Sequence, residues 1–344
     1  MTVVSNHEML CDHTTLRVGG FADRIVMATT EAEILQTVKE CDEKEIPLLI
    51  LGGGSNVVIS DEGFRGTVLL VRTSGYEVST DACSGAMVTV EAGQNWDDFV
   101  AETIEKEWYG IEALSGIPGT VGATPIQNVG AYGQEVSQTI AHVRTYDREK
   151  REIKTFYFAD CLFDYRYSVF KANPNRYVIL QVAFQLRLGE HSAPIEYGEL
   201  AKVLGVDVGK RSKSKLVREA VLKLRGAKGM VLNPIDHDTW SVGSFFTNPI
   251  VAADASIPKD CPRWAQVDGR IKLSAAWLVE NSGHPKGYGV NQNATLSSKH
   301  SLAITNRGNA TASDVLELAN HIQEKVFAQF GIKLEVEPNL IGNF

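Results

Sequence analysis

Four short segments carry side chains whose types and spacing could do chemistry. Phe163-Asp164-Tyr165-Arg166-Tyr167-Ser168 sets one arginine among aromatic rings. Flanking tyrosines can hold a guanidinium by stacking and leave its planar fork for a carboxylate. The plainer reading is a surface aromatic cluster with a snorkelling arginine. Val242-Gly243-Ser244-Phe245-Phe246-Thr247-Asn248-Pro249 places Ser244 between a glycine and two phenylalanines, where a hydroxyl can be a positioned proton donor, a helix cap or a satisfied core group. It is not G-x-S-x-G, so a hydrolase elbow has no support. Lys228 follows Arg225-Gly226-Ala227, and these cations either complement a helix C-terminus or bind phosphate. Glu337 is expected on the polar face of a final strand with Lys333 and Glu335, just before Pro338, where a carboxylate is ordinarily solvated.

Two glycine-rich segments could bind a ligand without reacting. Gly52-Gly53-Gly54-Ser55-Asn56 follows an apolar strand. Consecutive glycines let backbone N–H groups curl into an anion-binding nest suited to a pyrophosphate; the alternative is a tight turn. The segment lacks the last glycine of G-x-G-x-x-G and no clear helix follows it, so it is not the dinucleotide fingerprint. Gly205 to Arg211 falls one residue short of a P-loop and has arginine where a hydroxyl must hold magnesium. Ser115–Gly133, SGIPGTVGATPIQNVGAYG, has five glycines, two prolines and no charge. It reads as a wall around a large, flat, partly apolar ligand, or as an Ω-type loop packed on its own protein.

The elements that position these residues are legible around them. Ile25–Ala28 reads as a strand, Thr30 and Glu33 as a capping box opening a helix through Ile34, Leu35 and Val38, and Leu48–Leu51 as a strand buried on both faces, as in a parallel pair. Val68–Val71 and Val88–Val90 continue the strands, and Asn95 caps a helix through Phe99, Val100 and Ile104. His142–Tyr146 and Ile153–Phe156 follow. Tyr177–Leu188 alternates, with Val178, Leu180, Val182, Phe184, Leu186 and Leu188 on one face. Lys202–Lys228 is the most basic stretch, and its second half is a helix with Leu216, Val217, Ala220, Val221 and Leu224 on one side. A domain boundary is expected near 190–205. A last helix runs from Thr311 to Gly331, and Ile332–Glu337 alternates as a final strand.

The 344 residues suffice for two or three domains, with 44% hydrophobic and 22% charged residues as in soluble globular proteins. A net charge of −8 argues against general nucleic-acid binding. Cys11, Cys41, Cys83, Cys161 and Cys261 are scattered, which suits neither a metal site nor a disulfide framework, and a reducing cytoplasm is expected. No signal peptide and no membrane span is expected.

In their order and spacing, LGGGSN, IPGTVGATPIQNVGAYG, FDYRYSVFK, IEYGEL, LRGAKG, GSFFTNP and LEVEPNLIG resemble the UDP-N-acetylenolpyruvoylglucosamine reductase family from about Thr14 to Gly342. The resemblance implies an α/β (α+β) protein: an FAD-binding fold of the vanillyl-alcohol-oxidase (PCMH) type in two subdomains, 1–72 with 332–344 and 73–195, and a separate α/β substrate-binding domain, 196–331. It implies NADPH-dependent, FAD-mediated reduction of UDP-N-acetylglucosamine enolpyruvate in peptidoglycan precursor synthesis, by a monomer with no nucleic-acid or membrane partner and no metal. Arg166, Ser244 and Glu337 match the catalytic positions. Gly52, Gly53, Gly54, Ser55, Asn56, Gly119, Gly122, Thr124, Gln127, Asn128, Gly130, Tyr165 and Arg225 would contact FAD. Tyr197, Lys228 and Asn248 would contact substrate, with Tyr197 on a mobile loop.

The chain departs from the family at Val242, where a small residue is common, at Thr247, where lysine is common, and at Pro338, since other members place proline before the glutamate. Two rival readings are a flavin oxidase of the same fold and a non-catalytic flavin or sugar-nucleotide binder. Arg17-Val-Gly-Gly-Phe21 lacks the histidine with which oxidases of this fold often tether FAD.

Overall fold

The computed structural model describes residues 3–344. The chain forms two compact units, each assembled from separated stretches. The first comprises the N-terminal residues to Glu8, Ala22–Gly53 and Arg65–Gly226; the second comprises Met9–Phe21, Gly54–Phe64 and Ala227–Phe344.

The first unit holds two larger sheets and a two-stranded ribbon, Gly130–Ala131 with Gln134–Glu135. One larger sheet orders its strands Val3–Met9, Phe21–Ala28, Phe64–Val71 and Leu48–Leu51. The last two run parallel, with Leu48 opposite Thr67 and Leu51 opposite Leu70. A parallel pair needs a crossover, and burial on both faces explains why Leu48–Leu51 and Val68–Val71 are aliphatic throughout. The helix Glu31–Glu43 starts at the expected capping box: Glu33 N–H donates to Thr30 Oγ1, and the Glu33 carboxylate accepts from Thr30 N–H. The other sheet runs antiparallel through Glu152–Tyr157, Ile140–Asp147, Tyr177–Leu188, Gly85–Glu91 and Tyr76–Asp81.

Tyr177–Leu188 lies between two neighbours in this sheet. Its alternating set is buried from Val178 to Leu186, but Ile179 and Ala183 on the other face are buried too, and Leu188 is exposed at the strand end. Asn95 caps the helix Trp96–Glu105, whose Trp96 and Phe99 meet Phe184 with ring centroids 5.9 and 5.5 Å apart. The basic stretch folds as helices Gly198–Leu204 and Ser214–Ala227. Val217, Ala220 and Val221 pack with Ala113, Ile195, Leu200 and Ala201. Leu216 departs from the expected apolar side and is exposed, because Val217, Ala220, Val221 and Leu224 already complete the packed stripe.

The second unit is built on the helix Ala312–Phe330. Val315, Leu318, Ala319, Ile322 and Val326 are buried along one side. Its N-terminus is closed by Thr311 and by the Asp61 carboxylate, which accepts from Ala312 N–H at 2.7 Å and Ser313 N–H at 3.0 Å. The helix ends at left-handed Gly331 (φ 68°). The expected strand Ile332–Glu337 keeps alternating burial through Ile332 and Leu334, but it joins no sheet. It touches a neighbour through one bridge, Val336 to Phe246, and regular pairing begins beyond Pro338, where Asn339–Ile341 runs parallel to Val57–Ile59. Proline has no N–H for a ladder, which separates the two segments.

Candidate active site

In the first unit the two glycine-rich segments meet. A Cβ on Gly53 would lie 2.6 Å from Gly119 Cα, and one on Gly52 would lie 2.4 Å from Thr120 Oγ1. A Cβ on Gly122 would lie 2.6 Å from the Ala92 Cβ. Gly53 and Gly122 are required where a side chain would meet protein backbone, whereas Gly52 faces only the Thr120 side chain. Arg72, which the sequence reading passed over, anchors the loop by donating to Gly52 O at 3.0 Å and Val71 O at 2.8 Å. Burial pulls its pKa below the usual arginine range.

The loop nonetheless keeps the property a diphosphate needs. The amide N–H groups of Gly53, Gly54 and Ser55 donate to no acceptor among the described residues, and Gly54 is left-handed at φ 61°. Consecutive amides around a left-handed residue form an anion nest. The nest fits a diphosphate, and the uncharged Ser115–Gly133 segment, beside Gly52 and Gly53, fits the flat ring system of a flavin.

Arg166 sits at the tip of a tight turn in which Asp164 and Tyr167 exchange backbone hydrogen bonds of 3.2 and 3.1 Å. Its φ is +52°, a conformation rarely adopted by a long side-chain residue and often found at functional sites. Stacking is the smaller part of its restraint, since the guanidinium carbon lies 5.4 Å from the Tyr165 ring centre. Backbone carbonyls hold the fork: Nη1 donates to Asn128 O at 3.4 Å and Nη2 to Gly130 O at 3.0 Å. The expectation that stacking tyrosines leave the fork free is therefore corrected: two of its donors are engaged by carbonyls. Both carbonyls belong to the neutral segment, and Asn128 and Tyr132 in it are also left-handed, at φ 47° and 50°.

Asn128 is buried, and its side chain is engaged by protein on every side. Its amide donates to Glu135 Oε2 at 2.8 Å and Asp164 O at 3.2 Å, and its oxygen accepts from Ser137 N–H at 3.2 Å. Thr124 is buried, with its hydroxyl donating to Val121 O at 2.8 Å, while Gln127 is half-buried. Tyr197 is exposed, packs edge-on to Tyr132 with ring centres 5.5 Å apart, and precedes the helix Gly198–Leu204. Arg225 lies near the end of the helix Ser214–Ala227. Burial lowers its pKa, partly countered by Tyr132 and Asp97. Burial pushes the Asp97 carboxyl up, but the Arg218 fork at 2.6 and 2.9 Å and the Gly116 amide at 2.6 Å more than offset it, leaving its pKa below the usual value.

The second unit carries the other candidates. Glu337 lies beside the Ser244 segment: its N–H donates to Phe245 O at 2.9 Å, and Thr247 N–H donates to Glu335 O at 3.0 Å. Phe245 and Phe246 are fully buried, and Ser244 and Glu337 are half-buried next to them. Lys333 and Glu335 are exposed, so Glu337 departs from the solvated environment expected for all three. Asn248 Oδ1 accepts from Ala275 N–H at 2.9 Å at the start of the helix Ala275–Asn281, which directs its amide nitrogen elsewhere. Lys228 is half-buried. Gly54, Ser55 and Asn56 are also in this unit; Gly54 O accepts from Thr15 N–H at 3.1 Å, and Asn56 O from Asn339 N–H at 3.0 Å.

Comparison with known proteins gives this arrangement its class. Residues 22–152 match the FAD binding domain family, and residues 233–341 match the UDP-N-acetylenolpyruvoylglucosamine reductase C-terminal domain. A mixed α/β chain with this binding domain and reductase C-terminal domain is an FAD-dependent oxidoreductase. The chain is 55% identical to the UDP-N-acetylenolpyruvoylglucosamine reductase of Cutibacterium acnes, covering 96% of this chain and 88% of that one. It is 50% identical to that of Streptomyces avermitilis, covering 96% and 92%. It belongs to the UDP-N-acetylenolpyruvoylglucosamine reductase family. The crystal structure of the Thermus caldophilus reductase has the same fold, with a TM-score of 0.70 at 24% identity over 99% of this chain and 100% of that one.

Proposed function

We propose that this protein reduces the enolpyruvyl group of UDP-N-acetylglucosamine enolpyruvate to UDP-N-acetylmuramate, with NADPH as the reductant, in the synthesis of peptidoglycan precursor. The names of its relatives support the substrate class. The observation that carries the chemical reading is the tie between Arg166 and the uncharged segment: a strained arginine is held by the carbonyls of Asn128 and Gly130.

The chemistry that FAD supplies when bound is hydride transfer from NADPH to the enolpyruvyl double bond. Gly52 to Asn56, Gly119, Gly122, Thr124, Gln127, Asn128, Gly130, Tyr165 and Arg225 would line it. Hydride addition at the terminal vinyl carbon leaves negative charge on the adjacent carbon, delocalised into the carboxylate. Arg166 meets that charge with donors already fixed in place, so little reorganisation is needed during reaction. Ser244 gives its hydroxyl proton to the charged carbon, which is a strong enough base to take it where water is excluded. Glu337 shares in holding the carboxylate. Lys228 and Asn248 contact the diphosphate region, and Tyr197 closes over the nucleotide. The roles divide as 1–72 with 332–344 and 73–195 for FAD, and 196–331 for substrate, in a cytoplasmic monomer.

The test is the visible spectrum of the purified protein, followed by NADPH oxidation with and without the enolpyruvyl sugar nucleotide. A flavin spectrum and oxidation dependent on the sugar nucleotide are expected. Rapid oxygen consumption without it, or a flavin that NADPH does not reduce, would overturn the reading.

A further inference from the structure

We propose that Glu135 is a positioning residue for Arg166, acting through Asn128; this rests on the reading of Arg166 as the group that stabilises charge. Glu135 lies outside the motifs read from the sequence, and locally it forms a capping box with Gln138 ahead of the short turn Val136–Gln138. Its place in the fold distinguishes it.

Asn128 is the hub. Both N–H donors of its amide and its oxygen are used, by Glu135 Oε2, Asp164 O and Ser137 N–H. An ionised carboxylate only accepts hydrogen bonds, so Glu135 dictates which end of the Asn128 amide faces it. The amide nitrogen turns toward Glu135 and the oxygen toward Ser137 N–H. The second amide proton then reaches Asp164 O, which opens the turn carrying Arg166. The Asn128 carbonyl meanwhile accepts from Arg166 Nη1.

Glu135 acts a second way, through its backbone. It pairs with Gly130 in a short antiparallel ribbon, and Gly130 O accepts from Arg166 Nη2. The fit is close: a Cβ on Gly130 would lie 2.9 Å from Glu135 Cγ and 3.3 Å from Arg166 Nη1. One side chain therefore governs the turn under Arg166, and its own strand pairing supports one carbonyl that holds the fork. A charge-assisted bond is about twice as strong as a neutral one, which suits it to holding three left-handed residues in register.

Without the Glu135 carboxylate, the Asn128 amide keeps only its longer bonds to Asp164 O and Ser137 N–H, both 3.2 Å, and the Asp164 turn is held less firmly. A displacement of about 1 Å in a positioning group costs roughly 10²-fold in rate. The experiment compares Glu135→Ala, Glu135→Gln and Arg166→Lys holoenzymes by stopped flow, following flavin reduction by NADPH and flavin reoxidation by the sugar nucleotide separately. Glu135→Ala is expected to slow reoxidation by about 10- to 100-fold and to leave reduction by NADPH and flavin content unchanged. Glu135→Gln keeps an acceptor oxygen and should recover most of that loss. The Glu135→Ala/Arg166→Lys double variant should be little slower than Arg166→Lys alone, because both changes remove the same positioned fork.

Normal reoxidation in Glu135→Ala beside a slow Arg166→Lys would overturn the positioning role and leave the Arg166 reading intact. Near-normal Arg166→Lys would overturn the Arg166 reading itself. Equal loss in both half-reactions, no recovery in Glu135→Gln, or additive losses in the double variant would mark Glu135 as a general stability residue and overturn the proposal. Should the alanine chain not fold, Glu135→Asp, one methylene short of Asn128, carries the same comparison.

Discussion

Gly53→Ala tests whether the junction of the two glycine-rich segments supports cofactor binding. The added Cβ would stand 2.6 Å from Gly119 Cα, 3.2 Å from its carbonyl carbon and 3.3 Å from its nitrogen. Comfortable carbon–carbon separation is about 3.5–4.0 Å, so the two backbones must part by about 1 Å. All three atoms are main chain and have no rotamer to escape into. Overpacking of this kind costs about 1–3 kcal/mol. If the loop opens to relieve it, the amide nest is lost and FAD affinity falls by the same energy, roughly 5- to 150-fold. The assay is flavin titration of apoprotein, followed by flavin fluorescence, with thermal melting alongside. Gly52→Ala is the control. Its Cβ meets only Thr120 Oγ1 at less than 3 Å, and a hydroxyl can swing away, so affinity within about 3-fold of wild type is expected. If Gly53→Ala binds FAD as the parent does and melts at the same temperature, the junction does not support the cofactor and the steric argument fails.

Three other outcomes follow from the same geometry. Ser244→Ala should leave flavin reduction by NADPH nearly intact and slow substrate reduction severely; equal impairment of both half-reactions in stopped flow would remove Ser244 as the proton donor. Arg176→Ala should lower the denaturation midpoint, because Asp147 has its pKa held down chiefly by the Arg176 fork at 3.1 and 2.9 Å and would keep only the Glu149 and Lys150 amides; a midpoint unchanged by the substitution would refute this. His284 is buried against Ser282, Tyr288 and His321, and burial, then the neighbouring His321, lowers its pKa. Between its unfolded value near 6.5 and the lower folded value, the unfolded chain binds more protons, so this contribution is full above about pH 6.5 and is lost as pH falls. Melting temperature should therefore drop between pH 7.5 and 5.5, and the drop should be smaller in His284→Gln; an identical pH dependence in both would exclude His284.

Local pattern determined a large part of this protein. The capping boxes at Thr30 and Thr311, the Asn95 cap, the parallel aliphatic strand Leu48–Leu51 and the helix closing at Gly331 each follow from interactions within a few residues, which a sequence states directly. The joint order of the motifs also identified the family. Side chains brought together by folding were not legible. Glu135 and Arg72 lie in no motif, and their importance comes from a distant amide and a distant carbonyl. Arg166 has a left-handed backbone that its residue type disfavours, so only the surrounding carbonyls could reveal it. Ile332–Glu337 has a strand's alternation but lacks the ladder, because alternation reports which side chains are buried and leaves the partner unspecified. Sequence determined which residues could react and which backbone could turn. Tertiary structure decided which carbonyl, amide or carboxylate holds each of them, because those hydrogen bonds join groups far apart in the chain.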